Sequence, residues 1–157
     1  MSSDFDQFMK DREAEKANQR TLAEDTEAQW DLLKSLSRSV SDGKTIDGHA
    51  FTWGEQCGDD FLQLNNVAAI FRRSQKNQRL QNYQIIFDRH SPSPTAVFLH
   101  RMRIASKVWS CEPKMEEGSF VWSVSELGKS YSAEDLSNSI AEELVRYHEE
   151  YEEAYRH

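Results

Sequence analysis

Two cysteines, three prolines and six glycines are all that 157 residues hold of the types that most often staple or break a chain. Cys57 and Cys111 are too few for a disulfide framework, and a pair of reduced, half-buried small residues is the plain reading. So few glycines leave no G-x-G-x-x-G, no G-x-x-x-x-G-K-S/T and no G-x-S-x-G, which removes the local geometry of nucleotide loops and hydrolase elbows. No Asn-x-Ser/Thr acceptor occurs either. Long apolar runs are missing too. The longest, Val67 to Phe71, has five residues, against the roughly 20 that a membrane-spanning helix needs. The first twenty residues are acidic and polar, where a signal peptide would be basic and then apolar. Together these absences lead to the expectation of a cytoplasmic protein with no membrane contact.

What is present is aromatic and acidic. Hydrophobic residues make up only 38%, yet 4 Trp, 5 Tyr and 8 Phe bring enough area to build a core and to exclude wholesale disorder. The length is that of one domain. Residues 1–20 read as a polar, loosely held helical extension with a Phe5, Phe8, Met9 cluster, and 21–157 as a single α+β domain.

Periodicity sets the order of elements. No Pro or Gly interrupts the first forty residues; Ser3 can cap their start, and Asp4 and Asp6 suit the positive end of a helix dipole. From Leu22 onward Thr26, Trp30, Leu33, Leu36 and Val40 fall on one helical face, so a packed helix is expected to end near Asp42-Gly43. After His49 the period changes from 3.6 to 2. Strands are expected around Phe51–Trp53, Phe61–Arg73 (broken by a bulge or turn at Asn65-Asn66), Tyr83–Asp88, Ala96–Ala105 as the longest, Lys107–Glu112 and Phe120–Val124. Ser74–Asn82, Ser91–Pro94 and Pro113–Gly118 read as loops. Ser132 and Asp135 then have the spacing of a capping box, and Leu136, Ile140, Leu144, Tyr147, Tyr151 and Tyr155 recur at helical spacing to about Arg156. The expected architecture is an α+β meander sheet of about five or six antiparallel strands, flanked by a long N-terminal helix and a C-terminal helix packed on one face.

Charge is segregated along the chain. Residues 1–60 hold 7 bases and 14 acids, residues 61–111 hold 8 bases and one acid (Asp88), and residues 112–157 hold 4 bases and 12 acids, so −7, +7 and −8 sum to the net −8. Three readings follow, one of them an acidic partner protein docking on the sheet. Acidic helices lie against a basic sheet as internal complements, or the sheet keeps an anion-facing surface built from Arg101, Arg103, His100, Arg89 and Arg72, arginine being suited to forked recognition of carboxylate or phosphate. Basic strands with interleaved aromatics also raise single-stranded nucleic acid, but no R/K-G-F/Y-G/A-F-x-F element occurs and the net charge repels phosphate.

Candidate chemistry is sparse. His148 and Glu152 are spaced i, i+4 without completing H-E-x-x-H, and His90, His100 and Asp88 depend on strand register. Cys57 sits beside Asp59 and Asp60, whose charges oppose thiolate formation. No catalytic residue, metal or cofactor is assigned. The expected function is a non-enzymatic protein-interaction module that homodimerises or meets another protein, with Phe5, Phe8, Met9, Tyr147, Tyr151 and Tyr155 as interface material. The alternatives are a small-molecule or anion binder, an enzyme included, with a sheet-helix pocket at Arg101, Arg103 and His100, and after it a single-stranded nucleic-acid binder.

Overall fold

A long helix leads into a meander of short antiparallel hairpins, and a second helix closes the chain. The computed structural model describes residues 3–56, 58–75, 81–90 and 104–154. Helix α1 spans Ser3–Val40 without a break, about 57 Å at 1.5 Å per residue. The strands follow as β1 (Thr45–Ile46), β2 (His49–Gln56), β3 (Asp59–Leu64), β4 (Val67–Gln75), β5 (Gln81–Arg89), β6 (Lys107–Glu116), β7 (Ser119–Val124) and β8 (Lys129–Tyr131), and α2 runs from Ala133 to Ala154. They form one sheet in sequence order from β1 to β8, every neighbour antiparallel.

The α+β meander with a helix at each end agrees with the sequence, but the sheet has eight strands where five or six are expected. The extra ones are short. Strands of two and three residues, β1 and β8, carry no readable alternation, and turn geometry defines them instead. Asp47-Gly48 joins β1 to β2 and Glu117-Gly118 joins β6 to β7, with φ positive at both residues of each turn (53° and 80°, 51° and 78°). That is the type I′ pattern, whose twist matches paired strands and whose second position suits glycine.

Two expected boundaries shift, and a third lies largely outside the described residues. Pro113 lies inside β6, not in a loop. Its missing N–H points toward β5, and β5 pairs with β6 only as far as Cys111, so no ladder bond is lost there. Ser74 and Asn82, expected in a loop, face each other across the β4–β5 ladder. The expected long strand Ala96–Ala105 lies outside the described residues except for Ile104 and Ala105, which belong to no strand.

Alternation sends one side chain of each pair to the helices. Leu62, Leu64, Ala69, Phe71, Tyr83, Ile85, Phe87, Trp109, Cys111, Trp122 and Val124 form the buried layer on that face. Trp30 and Leu33 of α1, and Leu136, Ile140, Leu144 and Tyr147 of α2, close over it. Trp30 is the central contact. Its ring lies 5.0 Å from Tyr83 and 5.9 Å from both Phe71 and Trp122, mostly edge-on, the arrangement that aromatic quadrupoles favour. The cap expected at α2 is present: the Asp135 N–H donates to Ser132 Oγ at 3.1 Å and the Leu136 N–H to the Ser132 carbonyl at 2.9 Å. No helix among the described residues is long and apolar enough to cross a membrane.

Candidate functional site

The segregated charges meet across elements. Arg73 on β4 pairs with Glu27 of α1, and Lys34 of α1 reaches Asp60 of β3 at 3.0 Å. Lys107 at the start of β6 lies 3.0 Å from Glu143 and 3.3 Å from Glu150, both on α2. Burial pulls the Lys107 ammonium down, and the two glutamates outweigh it, leaving the group above its ordinary value. Arg72 donates from Nε (3.2 Å) and Nη2 (2.9 Å) to one oxygen of Asp59 on the neighbouring strand. Partly exposed pairs such as these each contribute about 0–1 kcal/mol in water, so Glu27 with Arg73, and Glu143 and Glu150 with Lys107, chiefly seat the acidic helices on the basic sheet.

Of the expected anion set, Arg101, Arg103 and His100 lie outside the described residues. Arg72 and Arg89 do not converge. Register places Arg72 opposite Gln84, in the half of the β4–β5 hairpin toward its turn and on the face away from the helices; Arg89 stands opposite Val67 at the open end, on the helix-covered face.

The histidines and cysteines are also separated by the fold. His148 of α2 is fully buried, its Nε2 is 3.6 Å from the exposed Asp47 carboxylate, and its ring is 5.9 Å from that of His49. Glu152, its i+4 neighbour, instead accepts from Asn65 Nδ2 at 3.1 Å. His90 stacks on Phe61, with 4.5 Å between ring centroids. Among the described residues no three His, Cys, Asp or Glu side chains cluster as a metal site. Cys111 is a buried free thiol that burial, and then Glu126, push up to about 12. Cys57 lies outside the described residues. Among the open depressions on the surface of the described residues, two are lined by the sheet and its turns. One, of about 570 Å³, is lined by Glu116, Glu117, Ser119 and Val121; the other, of about 200 Å³, by His49, Ala50, Thr52, Gln63 and Asn65.

The expected interface residues fall into different settings. Phe5, Phe8 and Met9 are 67%, 57% and 39% exposed, on a stretch of α1 in which every residue from Asp4 to Ala17 is exposed. Their i, i+3, i+4 spacing makes one apolar stripe at the tip of a polar arm. Gln7 Nε2 donates to Asp11 Oδ1 at 2.9 Å along it. Tyr147 has no surface to offer a partner: it is 1% exposed, its hydroxyl donates to the Ala105 carbonyl at 3.4 Å, and Lys107 lies over its ring. Its column continues to half-buried Tyr151, and Tyr155 lies outside the described residues. Helical spacing alone does not separate these three, because burial along α2 depends on what the sheet and neighbouring segments place beneath each turn.

One feature has no signal in the sequence. β1 pairs with β2 only at His49 and Ala50, and the Phe51 N–H reaches the Lys44 carbonyl at 3.5 Å. Beyond that point no strand among the described residues pairs with the outer edge of β2, from Thr52 to Gln56. Nothing marks a strand as an edge until the order of all eight is known.

Compared with models of protein families, with curated proteins and with solved structures, the chain matches none.

Proposed function

We propose that the protein is a non-enzymatic protein-interaction module that works as a homodimer and docks another protein through the N-terminal arm of α1. The arm carries this reading. Two phenylalanines and a methionine stand in solvent on a helix whose next half packs a buried stripe against the sheet, and residues of these types are enriched where protein partners meet. An i, i+3, i+4 set of anchors on an exposed helix is the ligand half of helix-in-groove recognition. The acid partners of Arg72, Arg73 and Lys107 favour internal complementarity over an anion surface as the use of the basic sheet. A cytoplasmic location goes with this reading, and a buried free Cys111 is compatible with it.

The test places a photo-crosslinking phenylalanine analogue at position 8 and irradiates living cells. A discrete adduct heavier than the chain is expected. Twice the chain mass identifies a second copy as the arm's partner, and any other mass a different protein. Absence of an adduct overturns the docking role. Sedimentation showing a strict monomer at high concentration overturns the homodimer.

A further inference from the structure

The homodimer reading leaves open where the second copy sits. Resting on that reading, we infer that two copies join through the outer edges of β2, so that two eight-stranded sheets run on as one across a twofold axis at Gly54.

Turn geometry fixes which backbone groups face outward. Ile46 and His49 flank a two-residue turn and so exchange hydrogen bonds, which aims His49 at β1; Gln56 and Asp59 likewise flank a two-residue turn, which aims Gln56 at β3. Alternation then points Phe51, Trp53 and Glu55 outward, and the Phe51 N–H does reach outward, to Lys44. With Phe51 taken, the N–H and C=O of Trp53 and Glu55 remain as a row unpaired among the described residues, on an edge that carries no proline. Proteins usually blunt or cover such a row.

The window fits a second copy of itself. Lys44 and β1 bound it on one side and the turn after Gln56 on the other, so five residues, Thr52 to Gln56, are open. An antiparallel twofold pairing keeps each sheet face continuous only when residues of the same parity oppose. Within this window that sets Gly54 against Gly54, Trp53 against Glu55 and Thr52 against Gln56. Trp53 and Glu55 then exchange two backbone bonds on each side of the axis. Gly54 forms the central pair without hydrogen bonds, where strands come closest, roughly 4.5 Å between Cα atoms. Glu55, the one charged residue in the window, faces a tryptophan instead of its own copy, so no like charges oppose. The pairing leaves both arms of α1 for another protein. A five-residue edge buries less than the roughly 800 Å² per partner of a standard stable interface, so the dimer should build up with concentration instead of being obligate.

The test is amide exchange followed residue by residue at rising concentration of the wild-type chain, with sedimentation on the same samples. Dimer formation should slow exchange at Trp53 and Glu55 by about tenfold or more, and leave amides on the far side of the sheet, such as those of β8, unchanged. Glu55→Pro removes one outward donor and no β2–β3 bond, since Pro is tolerated on an edge, and should give a folded monomer. A dimer whose Trp53 and Glu55 amides exchange as fast as in dilute solution overturns the edge while the homodimer reading stands. A monomer at every concentration overturns both.

Discussion

The two halves of α1 share one backbone geometry and have opposite surroundings. From Thr26 to Val40 the helix presents a buried stripe of Thr26, Trp30, Leu33 and Ser37, seated by Glu27 and Lys34 on β4 and β3. From Asp4 to Ala17 every residue is exposed, and its apolar content is confined to Phe5, Phe8 and Met9. A helix this short is marginal in water by itself, since nucleation costs more than a few turns return. The packed half supplies the nucleus and the arm propagates from it. Fold stability is therefore concentrated in one half and potential contact in the other, and substitutions should separate the two.

The largest effect belongs to Trp30. Trp30→Ala should cost about 3–5 kcal/mol, because it empties the space among Phe71, Tyr83 and Trp122 that the sheet cannot collapse to fill. Chemical denaturation measures it, and a loss under about 1 kcal/mol would show that α1 is not the keystone of this layer.

Next is the tyrosine that ties the packed half to the sheet. Tyr83 donates its hydroxyl to Glu27 Oε1 at 3.2 Å, and burial, followed by the Glu27 charge, raises its pKa from 10.0 to about 12. In that window the unfolded chain has lost the phenolic proton and the folded one keeps it. The folded state thus binds more protons, and stability must fall as pH rises from 10 to about 12. Tyr83→Phe should flatten this part of the alkaline melting curve, leaving the share that comes from the Cys111 thiol. An unchanged slope would remove Tyr83 from the account.

Much of this framework can be read before the structure, and the failures share a cause. α2 announces itself through Ser132, Asp135 and the Leu136–Ile140–Leu144 column, all local features. The −7, +7, −8 layout is visible in the chain. The pairs that use it, Glu27 with Arg73 and Lys107 with Glu143, join residues far apart in sequence and need the tertiary register. Pro113 reads as a loop because its local signal is strong, yet the end of the β5–β6 ladder at Cys111 decides its place. Tyr147 and Tyr151 share a helical column, and only the packing shows that the first is core. Of the candidate site, the Phe5–Met9 stripe is legible as an apolar cluster in a polar stretch; the β2 edge is not, since edge status belongs to the sheet.

A smaller test probes the quality of packing in the buried half. The Ser37 hydroxyl is fully buried with no hydrogen-bond partner among the described residues. Such a group keeps its desolvation cost without a compensating bond. Ser37→Ala removes that cost and gains helix propensity, so it should stabilise the fold by about 1 kcal/mol. A destabilisation of that size would mean that the hydroxyl has a partner.

The smallest expected change in stability is at the arm, and its smallness is informative. Changing Phe5, Phe8 and Met9 together to serine removes three large apolar groups, which in a core would cost several kcal/mol. Here they are already in water when the chain is folded, so folded and unfolded states lose the same exposure, and the melting point should move by no more than about 0.5 kcal/mol would produce. Amide exchange in the unaltered chain should agree, fast from Asp4 to Ala17 and slow from Thr26 to Val40, because the arm frays from its tip without opening the sheet. A large drop in melting point would show that the arm is packed in solution, against its own sheet or a second copy. In that event the contrast between the halves of α1 would vanish, and with it the argument that the arm is free to dock.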